Sequence, residues 1–184
     1  PLSAEVLETG SQLTLKAQGY KTLQQQVRVK AGSKATHPLI EMIVADGTLT
    51  INSVPQGASI TIDKQFKGTS PMDVAVTPFA KHNIELFLEG YLNTKQSVSV
   101  KPEQQRQISV NLTPNIGRVR LNITPADAAI LVDGKRLGTG SQTLSLNAKP
   151  QSISVEKSGY ETQSMTVTPR PGHQQALTIQ LLTL

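Results

Sequence analysis

Residues 47–68 read GTLTINSVPQGASITIDKQFKG, and residues 117–138 read GRVRLNITPADAAILVDGKRLG. At an offset of 70 with no gap, Gly47, Ile51, Pro55, Ala58, Ile60, Ile62, Asp63 and Gly68 meet Gly117, Leu121, Pro125, Ala128, Ile130, Val132, Asp133 and Gly138. Within each stretch apolar residues alternate with polar ones. Leu49, Ile51 and Ser53 share one side of a first run, and Ala58, Ile60 and Ile62 one side of a second. That two-residue period is the signature of a strand with one buried face. Between the runs, Pro55 and Gly57 predict a tight turn, because proline presets φ and glycine takes a positive φ. Asp133-Gly134 between apolar alternations is a hairpin signal.

The period extends downstream. Three Gly-Tyr pairs stand at Gly19-Tyr20, Gly90-Tyr91 and Gly159-Tyr160, with tyrosines 71 and then 69 residues apart. Residues 82–89 alternate with Ile84, Leu86 and Leu88 on one side, a run after Tyr91 carries Val98 and Val100, and residues 107–112 place Ile108, Val110 and Leu112 together. Six or seven strands per copy follow, with no helical spacing of apolar residues. The predicted fold is all-β: tandem small antiparallel β-sandwich repeats of about 70 residues.

Residues 47–116 form one repeat and 117–184 the next; residues 1–46 read as the C-terminal part of an earlier copy, with Pro1 set against Pro71 and Leu13-Thr14-Leu15 near Leu86-Phe87-Leu88. A copy without its first strands exposes a sheet face or edge, so it is expected to be disordered, to take a strand from a partner, or to lean on the second repeat. The links, Ile43–Asp46 and Thr113–Ile116, leave the copies little relative freedom.

Composition narrows the function classes. The 184 residues contain no cysteine, which removes disulfides and thiolate metal sites. No run of about 18 apolar residues is present, so no membrane-spanning helix is expected, and any membrane attachment would come through segments beyond this sequence. Net charge is +5, spread over the copies as +1, +1 and +3. Aromatic residues make up only 3%, too few for base stacking, so no nucleic-acid partner is expected.

Gly-x-Leu-x-Ile, then Pro-x-x-Ala, then Ile-x-Ile-Asp, then Gly, and later Gly-Tyr before a Val-x-Val strand, resembles the PEGA domain family. The name-giving motif reads Pro55-Gln56-Gly57-Ala58 in one copy and Pro125-Ala126-Asp127-Ala128 in the other. Asp127 stands where glycine is usual, which predicts a turn holding an aspartate in the left-handed region. Lys64 stands where Asp-Gly is usual. The resemblance implies extracytoplasmic β-sandwich modules of bacteria or archaea, periplasmic or at the cell surface, with no catalytic residue and no cofactor. Their partners would be a cell-wall or envelope polysaccharide, or another protein or domain. The alternative is an accessory region of a larger enzyme, such as a formylglycine-generating sulfatase-modifying-factor type.

The residues carry no constellation that contradicts this. His37, His82 and His173 occupy unrelated positions of the repeat and read as exposed strand or loop histidines, not metal ligands. Asp63 and Asp133 sit among lysines and arginine, so they read as hairpin aspartates bonding their own backbone rather than as a calcium loop. Gly138-Thr139-Gly140-Ser141 opens no helix and reads as a turn, not a phosphate cradle. Each Gly-Tyr pair is expected to supply a positive φ at a strand corner and a tyrosine whose hydroxyl bonds backbone, the other reading being a tyrosine ladder for sugars. The candidate contacts to an anionic polymer are Arg118, Arg120, Lys135 and Arg136.

Overall fold

The computed structural model describes residues 10–30, 32–34 and 39–184, and every regular element among them is a β-strand. A hairpin comes first, β1 (Ser11–Leu15) with β2 (Leu23–Val27). Seven strands follow: β3 (Gly47–Val54), β4 (Ser59–Ile62), β5 (Gln65–Thr69), β6 (Met72–Val76), β7 (His82–Phe87), β8 (Thr94–Val98) and β9 (Gln105–Asn111). The same seven then recur as β10 (Ile116–Thr124), β11 (Ala129–Val132), β12 (Lys135–Thr139), β13 (Gln142–Asn147), β14 (Gln151–Glu156), β15 (Gln163–Val167) and β16 (Gln174–Gln180).

Each set of seven makes two facing sheets. In the first they are ordered β6-β3-β9 and β5-β4-β7-β8, in the second β13-β10-β16 and β12-β11-β14-β15. The alternation seen in the sequence is what closes them. Leu49 and Ile51 from one sheet meet Ile60, Ile62, Ile84 and Leu86 from the other in a single core. Val119, Leu121, Ile130, Ile153 and Val155 do the same in the second repeat, and the two cores share no residue. Every pairing is antiparallel except that of the first and last strand of each repeat, β3 with β9 and β10 with β16, which run parallel. A parallel neighbour needs a crossover, and here the whole four-stranded sheet supplies it.

One turn meets the expectation and another departs from it. Asp63 and Lys64 both have positive φ, 49° and 68°, as do Asp133 and Gly134, 48° and 78°, the geometry of a two-residue hairpin turn. Asp127, by contrast, is not left-handed. Gly57 has φ 88° and donates to the Ser70 carbonyl, whereas the later turn closes locally, from Ala128 N–H to the Pro125 carbonyl at 3.2 Å. Asp127 therefore escapes the strained conformation, and its carboxylate goes instead to Lys157 Nζ, 2.6 Å away.

The Gly-Tyr corners join strand to linker. All three glycines have positive φ, close to 80°. Leu92 N–H donates to the Thr113 carbonyl and Asn115 N–H to the Gly90 carbonyl, with the same pattern at Lys21, Ile43, Ala45 and Gly19 and again at Glu161, Leu182, Leu184 and Gly159. The expected tyrosine hydroxyl bonds are not found among the described residues; the peptide backbone does that work, while the Tyr91 and Tyr160 rings pack on the cores. Aligned on the tyrosines, Leu13 and Leu15 meet Ile84 and Leu86, two residues from the match read in the sequence. The expectation for Pro1 and the opening residues lies outside the described residues.

Candidate binding surface

β10 alternates Gly117, Val119 and Leu121 inward with Arg118 and Arg120 outward, so the two arginines share the solvent face of the three-stranded sheet. Gly117 is glycine because a Cβ there would lie 2.7 Å from the Pro169 and Arg170 backbone. Beside Arg118 stand Ser145 and Gln174, and beside Arg120 stand Thr143 and Ala176, none of them acidic. A shallow hollow of about 280 Å³ adjoins Arg118, with Ile116, His173 and Gln174. Lys135 and Arg136 open β12, the edge of the other sheet. The structure thus groups the four cations as two separate pairs and does not unite them. Arg136 lines a hollow of about 450 Å³ that also holds Asp127, Glu156 and Lys157. There Lys157 holds the Asp127 carboxyl below its usual range through their hydrogen bond.

His82 corrects the expectation of an exposed histidine. It stands in phase with Ile84 and Leu86 on β7 and is buried. Its Nδ1 is 2.6 Å from Asp63 Oδ2 and its Nε2 is 2.8 Å from the Thr77 carbonyl. Both ring nitrogens are engaged by acceptors, which favours the imidazolium and leaves no lone pair for a general base. The Thr77 carbonyl, more than Asp63, raises the pKa against the opposing effect of burial. Gln151 takes this position in the next repeat and donates to the Asn147 carbonyl instead. His173 is exposed, and His37 lies outside the described residues.

The recurrent aspartates bond across strands rather than to their own turn. Asp63 Oδ1 accepts from Asn83 N–H at 2.8 Å and Asp133 Oδ1 from Ser152 N–H at 2.9 Å, each extending its ladder by one residue. Among the described residues no three of His, Cys, Asp or Glu gather as metal ligands. Ser141 Oγ accepts from Ile123 N–H and Gly140 N–H donates to the Ala128 carbonyl, so this Gly-rich stretch is a turn with its amides directed inward. No helix is long and apolar enough to cross a membrane among the described residues.

The aromatic residues carry a signal that composition conceals. The chain has three phenylalanines. All lie in the first complete repeat, and all are exposed: Phe66 at 67%, Phe79 at 74% and Phe87 at 54%. Neither core contains a phenylalanine. A count of residues cannot show this; their absence from the inward phase of each strand could have.

A family model described as the PEGA domain matches residues 46–116 and again residues 116–183. No curated protein matches the sequence. Among solved structures the chain is similar to the Bacillus anthracis TIE protein, at 11% identity over 95% of this chain and 41% of that one, with a TM-score of 0.46. The chain therefore spans 41% of the length of that relative. It is also similar to GBS52, the minor pilin of Streptococcus agalactiae, at 10% identity over 76% and 96% of the two chains with a TM-score of 0.35. A streptococcal ancillary pilin is 12% identical over 92% and 73%, with a TM-score of 0.32.

Proposed function

The chain belongs to the PEGA domain family, and from that membership we propose that it is a non-catalytic spacer and docking module outside the cytoplasm, periplasmic or at the cell surface, holding a partner domain on a cell-wall or envelope polysaccharide. The observation that carries the spacer half is the junction between repeats. Asn115 donates its amide to Gly90 of one repeat at 2.9 Å and offers its carbonyl to Ala148 of the next at 2.7 Å. Gly90 lies against the next repeat so closely that a Cβ would stand 3.3 Å from Asn147 Cβ. At the preceding junction, Ala45 donates to Gly19 while the Asp46 carbonyl accepts from Glu103 and its carboxylate from Lys21 Nζ at 2.8 Å. A linker bonded on both sides transmits position instead of swinging freely. In this reading the β1–β2 hairpin with its Gly19-Tyr20 corner is the second half of a further copy.

The docking half is tested by co-sedimentation of the chain with purified cell-wall sacculi at low and high salt. Retention that persists at high salt is the expected result. Retention abolished by salt reduces the interaction to charge, since exposed ionic contacts are screened. Absence from the pellet at low salt overturns docking to the wall and leaves the spacer.

A further inference from the structure

We propose that the outer face of the four-stranded sheet β5-β4-β7-β8 is a platform for an uncharged β-linked glycan chain, with Phe66 and Phe87 as its two stacking rings. This rests on the docking half of the reading above and gives it a site. The register places both rings on one face: Phe66 pairs with Thr61, and Phe87 pairs with Ser59, with Thr61 and Ser59 two residues apart on the intervening strand. Two interstrand steps and two residues along the strand separate the backbone positions by about 12 Å. One sugar ring cannot cover both, whereas alternate sugars of an extended chain can.

The chemistry of the face selects the occupant. Between the rings β4 turns outward only Ser59 and Thr61, which offer hydroxyls and a single methyl, little for a protein partner to bury. Glu85, opposite Thr61, is paired with Lys95 Nζ at 2.9 Å, so the carboxylate in the middle of the face is neutralised. A sugar ring has an apolar C–H face and a rim of hydroxyls. The C–H face suits the negative face of an aromatic ring, and the rim suits the hydroxyls and the ion pair.

The second repeat shows that the fold does not need these rings. At the equivalent positions it has Arg136 for Phe66 and Glu156 for Phe87, and its loop before β14, one residue shorter, has no phenylalanine. Burial is where a phenylalanine ordinarily stabilises a fold, and this chain leaves all three outside a core made of aliphatic residues.

The test is isothermal titration of the whole chain with cellohexaose and with chitohexaose, comparing Phe66→Arg, Phe87→Glu, the double variant and Phe79→Lys. Both Phe66 and Phe87 variants borrow the residues of the second repeat, so unfolding temperatures should match the parent. At least one hexasaccharide should bind. Each single change should weaken it roughly two- to tenfold, the double change should abolish it, and Phe79→Lys, off the sheet face, should leave it unaltered. No binding of either sugar, or equal binding by the double variant, overturns the proposal. So does a double variant that loses only attachment to phosphatidylcholine–phosphatidylglycerol vesicles, which would make the face a membrane contact. Sacculi distinguish the two readings: equal pelleting of parent and double variant removes the platform but keeps docking, whereas a parent that never pellets removes docking itself.

Discussion

His82 Nδ1 lies 2.6 Å from the Asp63 carboxylate while the opposite ring nitrogen faces the Thr77 carbonyl, so one buried ring ties the β4–β5 turn to the loop before β7. The arrangement makes the first complete repeat sensitive to pH on both sides. The folded pKa of His82 is raised above 6.5, so its contribution is fully present below that value and is lost as pH rises through the folded one. Asp63 is lowered below 3.8, first by the Asn83 amide and then by His82; its contribution is present above that value and is lost as pH falls through the folded one. Lys67 adds a smaller pull in the same direction. The unfolding temperature should therefore peak between these limits and fall above about pH 6.5. His82→Gln, the residue of the second repeat, should flatten the alkaline fall and cost about 1–3 kcal/mol near pH 6. A parent whose unfolding temperature does not drop above neutrality contradicts this account.

Lys64 occupies the second position of a hairpin turn at φ 68°, where the other repeat has Gly134 at φ 78°. A side chain in the left-handed region costs roughly 1–2 kcal/mol, partly offset by the greater freedom of glycine when unfolded. Lys64→Gly should stabilise by roughly 0.5–1 kcal/mol, and Gly134→Lys should cost as much. Denaturant titration of both variants checks the pair, and a destabilised Lys64→Gly is the contrary result.

Gln142 provides a second comparison between repeats. Its Nε2 is buried and has no hydrogen-bond partner among the described residues, and it overlies Gly138, where a Cβ would be 2.5 Å away. Met72 fills the equivalent place above Gly68 without a polar atom to satisfy. An unsatisfied buried amide costs about 1–3 kcal/mol. Gln142→Met should therefore raise stability by about 1 kcal/mol, read as a higher denaturation midpoint with an unchanged slope.

Much of this fold was legible because a sandwich writes itself locally. Leu49, Ile51, Ile60 and Ile62 alternate, and each is buried. The inward direction of His82 was legible too, since it precedes Ile84 and Leu86 in the same phase; its polarity masked the signal. The parallel pairing of β3 with β9 was not, because it depends on a neighbour more than 50 residues away that leaves no local pattern. The candidate surface was legible only in its parts. Arg118 and Arg120 share a face because residues two apart on a strand always do, but nothing in the chain order says that Arg136 belongs to another sheet and meets Asp127 and Glu156.

Gly90 and Tyr91 separate two roles that the sequence presents as one. The tyrosine hydroxyl has no hydrogen-bond partner among the described residues, so Tyr91→Phe should change stability by less than about 0.5 kcal/mol. Gly90 has φ 83° and faces Asn147 and Lys149 of the next repeat. Gly90→Ala should cost about 1–2 kcal/mol from backbone strain. It should also widen the distribution of distances between spin labels placed on the two repeats. A tyrosine variant that loses more than the glycine variant reverses the assignment.

The charge pairs differ in their surroundings, and that predicts different effects. Arg118 and Arg120 have only Ser145, Gln174, Thr143 and Ala176 beside them, so their charge is available to an anionic wall polymer. Arg136 shares its hollow with Glu156 and with the Asp127–Lys157 ion pair, so a carboxylate already stands near its charge. Reversing all four cations, Arg118, Arg120, Lys135 and Arg136, should weaken low-salt retention on sacculi. Arg118→Glu with Arg120→Glu should account for most of the loss, up to roughly fivefold per arginine. Lys135→Glu with Arg136→Glu should account for less, and because the pairs lie on different sheets their effects should add. The difference should vanish at high salt, where exposed charges are screened. Retention unaltered by all four reversals makes these residues ordinary solvated surface.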